Sequence, residues 1–332
     1  MFGMEELKER IEVEGDTVNC PVVGCGTLLT RMARGTPKSL DAYLERGAVK
    51  GGEQFDQFLC KEHGIYITPT TFIYRDLQDN LLWHEDVDRD LLDRILAAKR
   101  SSAQLHHENS EDAVTWNVFR FMDSQKLLSG FLAGLCSSPV TNPEMVYWSY
   151  SDSQRDVWDE LARAREEFGE RPQQASEPDL IVPSDGALFV IEAKMKAACT
   201  GDFNRNHTAE EKEERIGRYS RGDRFLRQSV GGVIDAGYYQ LMRFWVIGCS
   251  LAERLGLDFY LVCLVLSVRE LGIEHYFKKL IKEEQGRRFM RITWEDVYEY
   301  MVQSDLLSKD WEIMSRYFAN KTLDGKRAFS IS

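Results

Sequence analysis

Residues 187–195 read Ala-Leu-Phe-Val-Ile-Glu-Ala-Lys-Met, a strand-length run that is apolar apart from Glu192 and Lys194. Side chains alternate along a strand, so Leu188, Val190, Glu192 and Lys194 share one face while Phe189, Ile191 and Ala193 share the other. A carboxylate and an ammonium therefore lie side by side on an otherwise apolar surface. The run follows Ser184-Asp185-Gly186, turn chemistry in which Asp-Gly can supply the positive-φ positions of a tight hairpin. The arm before the turn ends in Asp179-Leu180-Ile181-Val182. A β-hairpin over residues 177–196 is expected, with Asp179 able to approach Glu192 and Lys194. Burying such groups costs several kcal/mol unless they are paired or hold a metal. Two readings stay open on the residues alone: a structural Glu–Lys pair with Asp179 capping a turn, or a charged functional site.

The chain around this stretch has 332 residues, which favours two domains over one. With 43% hydrophobic and 11% aromatic residues it can bury a proper core. The longest apolar run, 259–268, is strand-sized and far short of a membrane span. The opening residues carry no secretory apolar core, and seven cysteines, an odd number, suit a reducing compartment better than a disulfide framework. A cytoplasmic location is expected, with no membrane partner. The formal charge of −12 argues against a protein that coats nucleic acid non-specifically, because such binding comes from Lys and Arg neutralising phosphates. It leaves room for a local basic surface.

Two close pairs of metal-ligating residues stand in the first hundred positions, Cys20 with Cys25 and Cys60 with His63. Each pair has a glycine nearby, so a tight turn can aim both ligands at one point, the arrangement of a tetrahedral zinc site. The thirty-four residues between the pairs exceed the usual ribbon spacing. A short inserted helix over 37–44 would account for part of them. His84 is a lesser candidate ligand. The alternative is that the three cysteines are small core residues and His63 a surface residue before a strand. Residues 65–68 and 72–74 read as strands, and 88–100 as an amphipathic helix with Leu91, Leu92, Ile95 and Leu96 inward. Polar residues 101–109 read as a linker, with His106 and His107 solvated.

Ser110 is a natural N-cap for a helix over 111–123 whose apolar stripe is Val114, Val118, Phe121 and Met122, with Glu111 at the top of that face. A second amphipathic helix is expected over 156–168, before the hairpin. After the hairpin, Arg215, Arg218, Arg221, Arg224 and Arg227 recur every three residues, with Tyr219 and Phe225 interleaved. Five arginines against Asp223 alone leave four net positive charges, either a solvated face or a phosphate-contacting one. Residues 230–255 read as one long helix, apolar nearly all round and therefore buried. Gln240 is then an isolated core amide in need of partners. Further elements are a buried strand at 259–268, a helix at 276–284, a short strand at 288–292 and a helix at 294–303. The end, 326–332, looks loosely held.

Pro178, Asp179, Glu192, Ala193 and Lys194, with twelve residues between the two carboxylates, resemble the active-site hairpin of the PD-(D/E)XK nuclease superfamily. The motif covers 178–194, and the order helix, strand, strand extends the likeness over roughly 110–300. The resemblance implies an α/β domain with a restriction-endonuclease-like mixed central sheet flanked by helices. It would occupy 110–332, after a zinc-ribbon-like module at 1–100 and the linker at 101–109. It implies a Mg²⁺- or Mn²⁺-dependent endonuclease that hydrolyses DNA. Asp179 and Glu192 would be the oxygen ligands a hard cation prefers, with the backbone carbonyl of Ala193 as a further one. Lys194 would orient the attacking water, and Glu111 would complete the metal shell. Gln240 matches the polar residue that such proteins often carry on the following helix, and Tyr239 matches less well. DNA is the expected partner, and a homo-oligomer or a protein partner through the N-terminal module is compatible with the sequence. Two rivals remain: a non-catalytic nucleic-acid- or protein-binding module with a structural hairpin, and an RNA-directed metal-dependent hydrolase.

Overall fold

The computed structural model describes residues 13–30, 58–67, 72–98, 105–171, 177–196, 198–199, 208–304, 306, 308–323 and 326–331. The chain divides into two compact units. One comprises Met1–Leu96, Ser101–Gln125 and Met301–Ser332, the other Ala97–Arg100 and Lys126–Tyr300. The helix expected at 37–44, part of the linker (101–104) and the residues before 208 in the arginine-rich segment lie outside the described residues.

Two small antiparallel sheets open the first unit. One is β1 (Val13–Glu14), β2 (Thr17–Asn19) and β3 (Leu28–Thr30), the other β4 (Phe58–Cys60), β5 (Ile65–Ile67) and β6 (Phe72–Tyr74). They share one apolar cluster that includes Val18, Leu29, Phe58, Ile65, Ile67 and Phe72. Helix α1 (Asp86–Ala98) buries Leu91, Leu92 and Ile95. Helix α2 (Glu111–Ser124) buries the stripe its spacing dictates, and Ser110 caps it by accepting a hydrogen bond from the Ala113 N–H at 3.1 Å. The sequence placed α2 at the head of the second domain, but it packs in the first unit. Its Asn117 accepts from the Leu82 N–H at 2.9 Å and donates to the Asn80 carbonyl at 3.0 Å, and its Arg120 pairs with Asp88 of α1. Residues 105–109 are also no solvated linker. Glu108 is buried, the Glu108 N–H donates to the Phe72 carbonyl, and His107 bridges Ile73 across β6. Burial, with His106 beside it, pushes the His107 imidazole down to about 4. The tail is tied rather than loose: Thr322–Leu323 pairs with Lys326–Arg327, and Phe329 lies 4.6 Å, ring to ring, from Phe318 on the helix Lys309–Asn320.

A seven-stranded mixed sheet flanked by helices makes the second unit, in the order β13-β12-β11-β10-β7-β8-β9. Helix α3 (Leu128–Leu135) comes first, then β7 (Val146–Tyr147), β8 (Tyr150–Ser151), β9 (Asp156–Val157) and α4 (Asp159–Glu167). The hairpin strands are β10 (Leu180–Pro183) and β11 (Ala187–Ala193), antiparallel to one another. Helices α5 (Ala209–Tyr219), α6 (Val230–Asp235) and α7 (Tyr239–Leu255) follow, and then β12 (Asp258–Val265), α8 (Ile273–Phe277), β13 (Arg287–Thr293) and α9 (Trp294–Gln303). Strands β11, β12 and β13 run parallel, and every residue of β11 is buried, Glu192 included, as a strand apolar on both faces up to Ile191 requires. Leu188 and Val190 of β11 and Leu261 and Cys263 of β12 belong to one core with α7. On the opposite face Phe189 stacks on Tyr260 at 5.0 Å.

Several local expectations change. The hairpin turn uses no positive φ: the Ser184 hydroxyl donates to the Ala187 carbonyl and the Ala187 N–H donates back to it. Gly186 is required instead by close approach, since a Cβ there would meet the Pro139 carbonyl oxygen at 2.6 Å. The single helix over 230–255 is two, because Gly237, at φ +86°, breaks the chain between α6 and α7. The helix at 156–168 shortens to α4 after β9, and the one at 276–284 shifts to α8, with Ile281 and Glu284 in β-bridges. Cys199 and Cys263 form a disulfide, where the odd number of cysteines favoured a reducing compartment over a disulfide framework. Their pairing across the sheet is invisible in a spacing of sixty-four residues.

Candidate active site and metal centre

The hairpin brings three of the expected residues into one cluster in the second unit. Asp179 sits just before β10, where its Oδ2 accepts a hydrogen bond from the Ala193 N–H at 2.8 Å. Glu192 lies near the end of β11, 1% exposed. Lys194 follows the strand, anchored by its own N–H donating to the Leu264 carbonyl of β12 at 2.7 Å. Its Nζ stands 2.6 Å from Glu192 Oε1 and 3.9 Å from Asp179 Oδ2. The fourth member comes from α7: Gln240 Nε2 donates to Glu192 Oε1 at 2.6 Å. Gln240 reaches the carboxylate because Gly237 ends α6, which puts Gln240 in the first turn of a new helix rather than inside a long buried one. Its amide is thus satisfied by a site carboxylate and not by backbone.

Two carboxylates share one ammonium in a nearly water-free position, where electrostatic interactions are strong. Both carboxylates offer hard oxygen donors, which suit a Mg²⁺ or Mn²⁺ ion. Ala193 closes β11 opposite Leu264. Glu111 is in the first turn of α2, which belongs to the first unit, so the second unit's own cluster is Asp179, Glu192, Lys194 and Gln240.

A second layer, which the sequence reading missed, stands behind α7. Glu170 is buried and accepts from Arg243 Nε at 3.1 Å, from Arg243 Nη2 at 2.8 Å and from the Tyr219 hydroxyl. Arg165 completes it, 3.7 Å from Glu170 Oε2 and donating to the Ser149 hydroxyl at 2.9 Å. Arg243 also lies 5.3 Å from the centre of the Tyr239 ring. Burial, helped by the Glu170 carboxylate, pushes the Tyr219 phenol up, although the Arg243 guanidinium beside it pulls the other way. The available signal was Arg243 itself, a cation in an otherwise apolar helix that required a buried partner.

The arginines of α5 and the 3₁₀ turn Ser220–Phe225 are engaged inside the second unit. Arg218 pairs with Glu214 at 2.5 Å and Arg224 with Glu253 at 2.8 Å. Arg221 donates to the Glu167 carbonyl at 3.5 Å and Arg227 to the Ile281 carbonyl at 2.8 Å. Arg215 is half-buried. These contacts tie the segment to α7 and its neighbours.

In the first unit, the ligand atoms of Cys20, Cys25, Cys60 and His63 all lie within 4.8 Å of one another. His63 Nδ1 is 3.5 Å from Cys20 Sγ and 3.4 Å from Cys60 Sγ. Tetrahedral bonds of about 2.0–2.3 Å put neighbouring ligand atoms roughly 3.3–3.8 Å apart, so the spacing fits a zinc-sized ion. Two turns create it: Gly24 (φ +82°) lies between Cys20 and Cys25, and Gly64 (φ +62°) closes the turn that carries His63. Burial pushes the Cys20 thiol up. At Cys25, bonds with the Thr27 hydroxyl and backbone outweigh burial and lower it. His84 contacts Gln78 Oε1 at 3.2 Å and is not in the group. Three thiolates and an imidazole form a donor set that can bind a metal such as zinc. Among the described residues this is the one such group of three or more His, Cys, Asp or Glu ligands. A scan of family models, a search of curated proteins and a search of solved structures each found no match to the chain.

Proposed function

We propose that the second unit is a metal-dependent phosphodiesterase that cleaves DNA, with the first unit carrying a structural zinc. The observation that carries this reading is the buried junction of Asp179, Glu192, Lys194 and Gln240 at one end of the hairpin. Asp179 and Glu192 would hold Mg²⁺ or Mn²⁺, with the Ala193 carbonyl and water as further ligands. The ion, when bound, lowers the pKa of a coordinated water and neutralises charge on the scissile phosphate. Lys194 gives up its contact with Glu192 and turns its ammonium toward the attacking water and the phosphate oxygens. Gln240 fixes the Glu192 carboxylate, so the ligand is already oriented before substrate arrives. Ala193 does the same for Asp179 through its N–H.

The Lys194–Glu192 contact of 2.6 Å is also what a purely structural ion pair looks like. Cleavage of supercoiled plasmid separates the two. The wild type should nick DNA with Mg²⁺ or Mn²⁺ and not with EDTA. Lys194→Ala should lose about a hundredfold or more in rate while keeping its fold, the scale of removing one preorganised charge from a transition state. Nicking that Lys194→Ala leaves intact, or a wild type inert with both metals whose melting temperature they do not raise, leaves the structural pair as the reading.

A further inference from the structure

The segment after β12 presents an apolar surface that the site described above does not use. Val268 is 67% exposed, Leu271 77% and Tyr276 59%. Such side chains are unremarkable when scattered singly. Here Val268 and Leu271 ride on one braced loop, and Tyr276 on the short helix α8 that follows it. Arg291 donates to the carbonyls of Leu266, Ser267 and Arg269 at 3.2, 2.8 and 2.6 Å. Glu295 accepts from the N–H and hydroxyl of Ser267 at 2.9 and 3.0 Å. The Tyr276 ring lies so close to Gly272, the residue after Leu271, that a Cβ there would meet it at 2.9 Å.

The loop adjoins the hairpin site from two sides. Glu270 Oε1 accepts from the N–H of Cys199, five residues beyond Lys194, at 3.1 Å. Phe277 of α8 packs on Tyr238 at 5.5 Å, two residues before Gln240. The parallel pairing of β11 with β12 brings Lys194 and the start of the loop out at the same, C-terminal end of the two strands. Positive charge accompanies the apolar groups. Arg269 and Lys279 are exposed, and Lys279 Nζ lies 5.9 Å from the Tyr276 ring centre. The carboxylates on this stretch are occupied, Glu270 by Cys199 and Glu274 by Lys278 at 2.8 Å.

We propose that Leu271 and Tyr276 form a stacking platform for unpaired nucleobases next to the scissile phosphate, with Arg269 and Lys279 on the flanking phosphates. This rests on the phosphodiesterase reading and deepens it: the preferred substrate has a single-stranded stretch at the site. Every base has a flat π-face, so a rigid aromatic and an aliphatic side chain with cations beside them bind single strands without reading sequence. A duplex hides those faces.

Fluorescence anisotropy on the full chain tests it, with a labelled single-stranded oligonucleotide and the same sequence as duplex, and no added divalent cation. The wild type should prefer the single strand. Leu271→Ser and Tyr276→Ala, both exposed and so expected to fold, should each weaken single-strand binding about tenfold, the scale of one stacked base, and leave duplex binding unchanged. Arg269→Gln should instead lower the salt dependence by roughly 0.7 in the log–log slope. Variants that bind both forms like the wild type, or a wild type that prefers duplex, overturn the platform. So does a wild type that self-associates in sedimentation while Leu271→Ser does not, since the surface then binds protein. Plasmid nicking is scored in parallel. Nicking by every loop variant with unchanged oligonucleotide binding sinks the platform alone, and single-strand preference without any metal-dependent cleavage sinks the activity alone.

Discussion

Lys321 allows a quantitative stability test within the first unit. Its ammonium and the Glu108 carboxylate are both 0% exposed, with Nζ 3.2 Å from Oε2. Nζ also donates to Asn80 Oδ1 at 3.0 Å, and the Tyr317 ring centre lies 5.0 Å away. Glu108 accepts in addition from the Tyr74 hydroxyl at 2.8 Å and the Thr322 N–H at 3.0 Å. Burial alone would lower the Lys321 pKa, but Glu108 and Tyr317 oppose it and the net shift is upward from 10.5. With a folded value raised above the unfolded one, the contribution is complete below pH 10.5 and is lost only as pH rises through the folded value. A measurement at neutral pH therefore sees all of it. Lys321→Met keeps much of the volume and removes the cation, which strands a buried carboxylate at a cost of about 3–5 kcal/mol. For a unit of this size that lowers the Tm by roughly 6–20 °C, at about 2–4 °C per kcal/mol. Replacing both partners, Glu108→Leu with Lys321→Met, should recover much of the loss, because an apolar pair of similar volume often matches a buried ion pair. Urea unfolding followed by tryptophan fluorescence reads it: Trp83, Trp116 and Trp311 lie in this unit and four more in the other, so the transition that shifts in Lys321→Met is this unit's. A Lys321→Met variant within about 1 kcal/mol of the wild type would refute the reasoning, as would a double variant that loses the sum of both singles.

Two further outcomes follow from the first unit. Protein purified without chelator should carry one zinc per chain, and the pair Cys20→Ser with Cys60→Ser should carry none and lose the fold around β1–β6; elemental analysis finding no zinc in the wild type ends that assignment. Stability should fall as pH drops from 6.5 toward 4, because the unfolded chain protonates at His107 while the folded chain resists. Titrated in full, this amounts to about 3 kcal/mol. His107→Gln should flatten that part of the pH profile, and an unchanged profile would show that His107 does not carry it.

The central sheet was legible because it rests on uninterrupted apolar runs. Residues 187–191 and 259–266 are apolar on both faces, which marks them as buried strands, and the hairpin brought Asp179 to Glu192 as its turn length required. The Cys20–Cys25 and Cys60–His63 pairs were legible from their turns. What escaped were long-range polar contacts. Nothing local tells Glu108 to bond Lys321, Asn117 to bond Asn80 or Glu170 to bond Arg243, so α2 and the tail were read with the wrong partners or with none. The break at Gly237 was missed because apolar residues on both sides outweighed one glycine, yet that break is what delivers Gln240 to Glu192. The arginine row read as a possible phosphate surface, whereas its immediate ties run to Glu214, Glu253 and backbone carbonyls.

The most direct measurement is anomalous diffraction from a crystal soaked in Mn²⁺. The account predicts a peak bounded by the Asp179 and Glu192 carboxylates, with Lys194 displaced from its 2.6 Å contact with Glu192, and no such peak in Asp179→Ala. A soaked crystal with that contact intact and no peak between the two carboxylates would contradict it.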